Sequence, residues 1–116
     1  MVADDHDDTR DLMRFLLERW GYRVVEAADG AEAVEVAGRV RPSLVLLDIG
    51  LPGLDGLGAA RRLRECDGLG AVPVVAVSGH AAARDRDEAF AAGCVGYLTK
   101  PFTSAQLSAL VTQFLP

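Results

Sequence analysis

The sequence predicts an α/β domain in which a parallel β-sheet is covered by helices on both sides. Segments with helical and with extended apolar patterns alternate along the chain, and the connections between them are short. Residues 43–48 and 72–78 are apolar almost without interruption, which is typical of parallel strands buried on both faces. Alternation of this kind implies right-handed crossovers and ligand binding beyond the carboxyl ends of the strands.

Length and composition indicate one globular unit. The 116 residues, half of them hydrophobic and a quarter charged, suit a single core. We therefore expect residues 1–116 to form one domain, with no output domain after the last helix. The acidic N-terminus and the lack of an apolar run of about 20 residues predict a cytoplasmic protein without membrane insertion. A net charge of −5 with scattered arginines argues against direct nucleic-acid binding.

A short strand and a helix open the chain. Only residues 1–3 precede an acidic pair, so either the first strand is unusually short or the natural chain begins upstream. Residues 11–20 have the apolar spacing of an amphipathic helix, which Asp7 or Asp8 is expected to cap and Gly21 to end. The expected core-facing stripe comprises Leu12, Phe15, Leu16 and Trp20.

The rest of the chain continues the alternation of strands and helices. Capping-box spacing at Asp29 and Glu32, and again at Thr103 and Gln106, marks the start of two helices, and Gly93 is placed to end another. The elements are expected, in order, at residues 22–27, 29–40, 43–48, 55–66, 72–78, 81–92, 94–100 and 103–114. Two cysteines without metal or disulfide spacing are expected to be buried thiols.

Polar side chains collect where the predicted strands end. Asp4 and Asp5 follow the first strand, Asp48 ends the third, Ser78 ends the fourth and Lys100 ends the fifth. Because the carboxyl ends of parallel strands meet at one edge, we expect three carboxylates, a hydroxyl and an ammonium to converge there.

Three carboxylates at one edge require a cation. Two of them about 4 Å apart repel by roughly 4 kcal/mol at an effective dielectric near 20. Oxygen ligands with open positions suit Mg²⁺, which usually shares a phosphate. Lys100, the only lysine beside eleven arginines, adds a compact positive charge. This set predicts phosphorylation of an aspartate, with Asp48 as the acceptor because it ends the central strand.

Four segments in the right order and spacing resemble the receiver domain of response regulators, the phosphoacceptor module of two-component signalling. The segments are ADDHDDTRDLM, LVLLDIGLPGLDGL, VVAVSGHA and GCVGYLTKPF. The resemblance covers nearly the whole chain from Val2. It implies a flavodoxin-like (βα)5 fold, a doubly wound parallel sheet of order 2-1-3-4-5 between two layers of helices.

The resemblance also implies a metal site and a phosphoryl donor. Asp48 would accept the phosphoryl group from a phosphohistidine on a sensor histidine kinase or a histidine phosphotransfer protein. Mg²⁺ would be bound directly by Asp5 and mostly through water by Asp4, with Asp48 and the backbone carbonyl of Gly50 as further ligands.

Four other residues acquire roles from the same resemblance. Lys100 would contact the phosphoryl group, held by a cis peptide to Pro101. Ser78 would move toward the phosphoryl group, and Tyr97 would then rotate inward and remodel the binding surface for a downstream protein.

Functions of other classes are weaker fits. An aspartyl-phosphate hydrolase would want a second acid where Gly50 stands, so we expect no enzymatic activity beyond phosphotransfer to the chain itself and autodephosphorylation. A cofactor carrier of this fold would want a phosphate cradle where the acidic residues follow the first strand. A phosphorylation-independent receiver-like interaction module stays open. So does the choice between a stand-alone regulator and the receiver of a hybrid histidine kinase or larger regulator.

Overall fold

Five parallel strands and five helices alternate in the part of the chain that the computed structural model describes, residues 1–49, 56–66, 68–79 and 83–115. The strands are β1 Val2–Ala3, β2 Glu26–Ala27, β3 Val45–Asp48, β4 Val74–Ser78 and β5 Gly96–Thr99. The helices are α1 Asp7–Arg19, α2 Gly30–Val40, α3 Gly56–Glu65, α4 Ala83–Ala91 and α5 Ser104–Phe114. The sheet order is β2-β1-β3-β4-β5, and every pairing is parallel. The predicted fold class is confirmed.

Two apolar cores lie on opposite faces of the sheet. One packs α2, α3 and α4 against the strands through small side chains such as Ala33, Ala59 and Ala89. The other packs α1 and α5 against the strands through Met13 and Leu107. Both β3 and β4 are buried along their whole length, because successive side chains alternate between the two cores. The result is the predicted three-layer arrangement.

Helix α1 differs from the prediction at its start. It begins at Asp7 rather than at Asp11, and His6 occupies the N-cap position without a side-chain cap hydrogen bond. The expectation that Asp7 or Asp8 caps the helix is therefore wrong. Both carboxylates lie in the first turn instead, where the helix dipole favours negative charge. Apolar periodicity could not find this turn because its side chains are polar.

The buried face of α1 is also rotated relative to the predicted stripe. Met13 and Leu17 are buried. Of the predicted stripe, Leu16 and Trp20 pack partly buried against the same core, whereas Leu12 and Phe15 are 48% and 59% exposed. Both sets of positions have helical spacing, so periodicity cannot choose between them. The choice depends on how the helix docks on the sheet.

The strands are shorter than predicted. β2 has two residues rather than six, and β3, β4 and β5 each begin two residues later than expected. The predicted start of the fourth helix, residues 81–82, and the predicted cap Asp55 lie outside the described residues. Apolar content extends past the ladder because flanking residues such as Leu44 are also buried.

The predicted caps of α2 and α5 and the predicted glycine after α1 agree with the structure. Asp29 accepts a hydrogen bond from the Glu32 backbone N–H, and Thr103 and Gln106 form both bonds of a capping box. Gly21 follows α1 with a φ of +94°, and its N–H donates to a carbonyl of the last turn. In the described residues, no helix has the length and apolar content needed to cross a membrane.

Candidate functional site

The strand register brings the predicted polar residues to one edge of the sheet. Ala3 pairs with Leu47, so the next residues along the two strands, Asp4 and Asp48, lie side by side. Strands β4 and β5 pair in the same sense, and the Lys100 backbone N–H donates to the Ser78 carbonyl at 2.7 Å. The edge therefore gathers the polar side chains as predicted.

Lys100 joins the two buried carboxylates. Its Nζ donates to Asp4 Oδ2 at 2.8 Å and to Asp48 Oδ2 at 3.1 Å. The side chains of Asp4 and Asp48 are 1% and 7% exposed, and that of Lys100 is 19% exposed. A buried ion pair stabilises the charged forms of its members only if they are well hydrogen-bonded. Both hydrogen bonds of Lys100 have good geometry.

The hydrogen bonds around Asp4 control the pKa values of the pair. Burial by itself raises the pKa of Asp4, but hydrogen bonds from Lys100 and His6 and the charge of Lys100 outweigh it, so this pKa lies below its usual value. Burial by itself lowers the pKa of Lys100, and the carboxylates of Asp4 and Asp48 outweigh it, so this pKa lies above its usual value. Asp4 and Lys100 are therefore both charged at neutral pH.

His6 lies at the same edge and was not identified from the sequence. Its Nδ1 is 3.0 Å from Asp4 Oδ1, 3.2 Å from Asp5 Oδ1 and 3.7 Å from Asp48 Oδ2. Its backbone N–H also donates to Asp4 Oδ1, at 2.8 Å. The signal in the sequence is its position directly after the acidic pair, among further aspartates.

The cluster has the composition of a divalent-cation site. One ligand atom from each of Asp4, Asp5, His6 and Asp48 lies within 4.8 Å of all the others. Three carboxylates and the Lys100 ammonium leave a charge of two negative units, which a dication would neutralise. Carboxylate oxygens are the ligands that Mg²⁺ prefers. The donor set and the charge fit Mg²⁺.

The structure also describes the other predicted site residues apart from Gly50. Ser78 is buried at the end of β4, and Tyr97 on β5 is half-buried against the core formed with α2, α3 and α4. The Arg86 guanidinium of α4 lies 5.8 Å from the centroid of the Tyr97 ring. The peptide between Lys100 and Pro101 is cis, as the resemblance implies. Gly50 lies outside the described residues.

Helix α3 begins against the backbone that carries Asp48. A Cβ at Gly56 would overlap Ile49 Cα and would lie 2.5 Å from the Asp48 carbonyl oxygen. Only glycine allows this approach without moving one of the two segments. The packing of α3 therefore helps to fix the end of β3. No sequence pattern at Gly56 indicated this contact.

The chain is similar to response regulators and their receiver domains. The family model for the response regulator receiver domain matches residues 1–112. The polar-differentiation response regulator DivK of Brucella anthropi is 32% identical, over 99% of this chain and 94% of its own length.

Two solved structures have the same fold. One is the receiver domain of the sensor histidine kinase PA1611 from Pseudomonas aeruginosa, crystallised with a magnesium ion coordinated in its active-site cleft. It superposes with a TM-score of 0.91 at 34% identity, covering 97% of this chain and 93% of its own. The chemotaxis protein CheY4 of Vibrio cholerae superposes with a TM-score of 0.93 at 26% identity, covering 98% and 95%.

The relatives are signalling domains, and they match this chain over nearly its full length. The sheet order and the acidic edge are those that the sequence resemblance implied. The chain belongs to the response regulator receiver domain family and is a receiver domain of two-component signalling.

Proposed function

We propose that Asp48 is the phosphoacceptor of this receiver domain. The observation that carries the proposal is the position of its carboxylate, which is 7% exposed, at the end of the central strand β3, with the Lys100 ammonium 3.1 Å away. A carboxylate in this position is held by the sheet and meets a positive charge that can also contact an incoming phosphoryl group.

The proposed reaction is transfer of a phosphoryl group from a phosphohistidine. A carboxylate oxygen of Asp48 attacks the phosphorus, an O–P bond forms and the N–P bond breaks. The electron pair of the broken bond stays on the imidazole nitrogen of the donor, which takes up a proton from water. A sensor histidine kinase or a histidine phosphotransfer protein is the donor that this chemistry requires.

The residues around Asp48 have different electrostatic roles in the proposed reaction. Lys100 stabilises negative charge on the phosphoryl oxygens, since its ammonium already lies at the acceptor. Asp5 and Asp48 would hold Mg²⁺ directly, and Asp4 through water, because Asp4 is already bonded to Lys100 and His6. Mg²⁺ bound there supplies positive charge to the phosphoryl group.

Ser78 and Tyr97 are the residues we propose to respond to phosphorylation. The hydrogen bond from Lys100 to the Ser78 carbonyl connects the end of β4 to the segment that carries the lysine. Tyr97 contacts α4 through Arg86, whose guanidinium lies over the tyrosine ring. A change in Ser78 that moves Tyr97 would therefore alter the surface of α4 and β5, where a downstream protein would bind.

The proposed activity is limited to phosphotransfer to the chain itself and autodephosphorylation. A cytoplasmic location is consistent with Cys66 and Cys94, which are both free thiols, since the cytoplasm keeps thiols reduced.

The test is the intact mass of the protein after incubation with acetyl phosphate and Mg²⁺. We expect one phosphoryl adduct on the wild type, no adduct on Asp48→Asn and none after chelation of Mg²⁺. Asp8→Asn is the matched control, because it removes an exposed carboxylate in the first turn of α1 and should keep the adduct. No adduct on wild-type protein that is folded by circular dichroism would favour the phosphorylation-independent interaction module.

A further inference from the structure

We propose that His6 supplies a nitrogen ligand to the metal site, so that the site binds a transition-metal dication such as Zn²⁺ more tightly than Mg²⁺. The inference rests on the metal site of the proposed function and adds a residue to it. It concerns the identity of the ion, because three carboxylates alone would favour cations that prefer oxygen ligands.

The spacing of the ligand atoms carries the inference. Metal–ligand bonds of about 2.1 Å separate neighbouring ligand atoms by about 3.0 Å at right angles, and by about 3.4 Å in the tetrahedral geometry typical of Zn²⁺. His6 Nδ1 lies 3.2 Å from an oxygen of Asp5, which is proposed to bind the metal directly. The distance to Asp48 Oδ2 is longer, 3.7 Å. The ring nitrogen is thus close enough to Asp5 and Asp48 to be a third direct ligand beside them.

The backbone holds this ring in place. His6 is the N-cap residue of α1, and its N–H donates to the same Asp4 oxygen that its ring contacts. Asp4 is itself fixed by Lys100. The ring is 65% exposed, so a metal ion can reach it from solvent.

The ring can become a metal ligand only by giving up the hydrogen on Nδ1. Carboxylates only accept hydrogen bonds, so Nδ1 carries the hydrogen when it contacts Asp4. On metal binding, the Nδ1 hydrogen would leave to solvent, the Nδ1 electron pair would form the bond to the metal, and Nε2 would carry the ring hydrogen.

Imidazole changes which ion the site prefers. Oxygen-only sets suit Mg²⁺ and Mn²⁺, whereas imidazole suits Zn²⁺ and the later transition metals. The PA1611 receiver domain, 34% identical to this chain, holds magnesium in its active-site cleft. A receiver domain with a histidine beside the acidic pair should therefore bind Zn²⁺ at the same edge more strongly than its carboxylates alone would.

The first test compares metal affinities by titration calorimetry on metal-free protein. His6→Asn places an amide close to the position of Nδ1, so it keeps a polar group of similar reach and removes only the nitrogen ligand. Because losing a residue that merely orients a ligand costs about 10- to 100-fold in affinity, we expect Zn²⁺ binding to weaken at least about tenfold. We expect Mg²⁺ binding to change by less than about threefold.

The second test is an NMR measurement of the His6 ring. It uses the His6→Asn variant only to assign the signals. The chain has two histidines, and the ¹⁵N-histidine signals missing from His6→Asn belong to His6. We expect Zn²⁺ to shift the Nδ1 signal of His6 and to move its hydrogen to Nε2, and Mg²⁺ to leave both unchanged.

The outcomes separate this inference from the proposed function. If Asp5→Asn weakens binding of both ions but His6→Asn changes neither, and the His6 signals do not respond to Zn²⁺, the inference is wrong and the carboxylate site stands. If wild-type protein binds neither ion, both the inference and the metal site of the proposed function are wrong.

Discussion

Lys100 Nζ lies 3.1 Å from Asp48 Oδ2, held there by a second hydrogen bond of 2.8 Å to Asp4. The lysine is 96 residues from Asp4 in sequence, so the contact depends on the whole sheet being assembled. Asp4 is thus the buried partner that keeps a cation beside the proposed acceptor. The ion pair therefore connects folding to the proposed phosphotransfer.

Lys100→Met should destabilise the metal-free protein. The change leaves the buried carboxylates of Asp4 and Asp48 without their cation, and we expect a loss of roughly 2 kcal/mol in the free energy of unfolding at neutral pH. Urea unfolding followed by fluorescence of Trp20, the only tryptophan, measures the loss. Mg²⁺ should restore part of it, because a dication can replace the lysine charge. The double variant with Asp4→Asn should be more stable than Lys100→Met alone; equal stability would contradict the explanation.

Asp5→Asn should stabilise the metal-free protein. Asp5 adds a third negative charge to the edge, and its side chain is 33% exposed, so solvent screens part of the repulsion. We expect a gain of about 0.5 kcal/mol in the free energy of unfolding, which shrinks as salt is added. The same variant should no longer be stabilised by Mg²⁺. Asp8→Asn is the control, since its carboxylate lies in the first turn of α1. If both variants respond to salt and Mg²⁺ alike, the repulsion is not local to the site.

Gly56→Ala should damage both the fold and the site. The added Cβ would overlap Ile49 and press on the Asp48 carbonyl, so α3 or the end of β3 must move. We expect a loss of about 2 kcal/mol in unfolding free energy, together with slower formation of the phosphoryl adduct. Gly38→Ala in the exposed part of α2 is the matched change, because a Cβ there meets nothing within 4 Å. That substitution should raise stability by about 0.5–1 kcal/mol, as alanine does for glycine in a helix.

The sequence was sufficient for the order of elements and for the polar edge. Both depend on local patterns: apolar periodicity locates strands and helices, and the parallel sheet then places Asp48 and Lys100 at the same edge whatever the details of packing. The capping box at Thr103 is equally local, and the structure contains both of its bonds.

The features that were missed depend on long-range packing. The buried face of α1 is set by how the helix docks on the sheet, which two stripes of equal spacing leave open. The contact of Gly56 with Ile49 joins segments whose approach no local pattern encodes. His6 becomes part of the site only because α1 begins at Asp7 and turns its N-cap residue toward the acidic pair.

Cys94 should make stability depend on pH in the alkaline range. The thiol is 4% exposed, and burial raises its pKa to about 11 from a usual value of 9.0. Because the unfolded thiol loses its proton at lower pH than the folded one, the thiol's contribution to stability is complete below about pH 9 and is lost as pH rises toward about 11.

The measurement for this prediction is the difference in unfolding free energy between wild type and Cys94→Ala, which cancels the titration of groups common to both. We expect the difference to narrow by roughly 1 kcal/mol between about pH 8 and pH 10, because only the wild type loses stability through this thiol. A difference that stays constant over this range would mean that the thiol ionises equally in both states. In that case Cys94 would have to be reached by solvent in the folded protein, and the packing between α4 and β5 would be looser than its burial indicates.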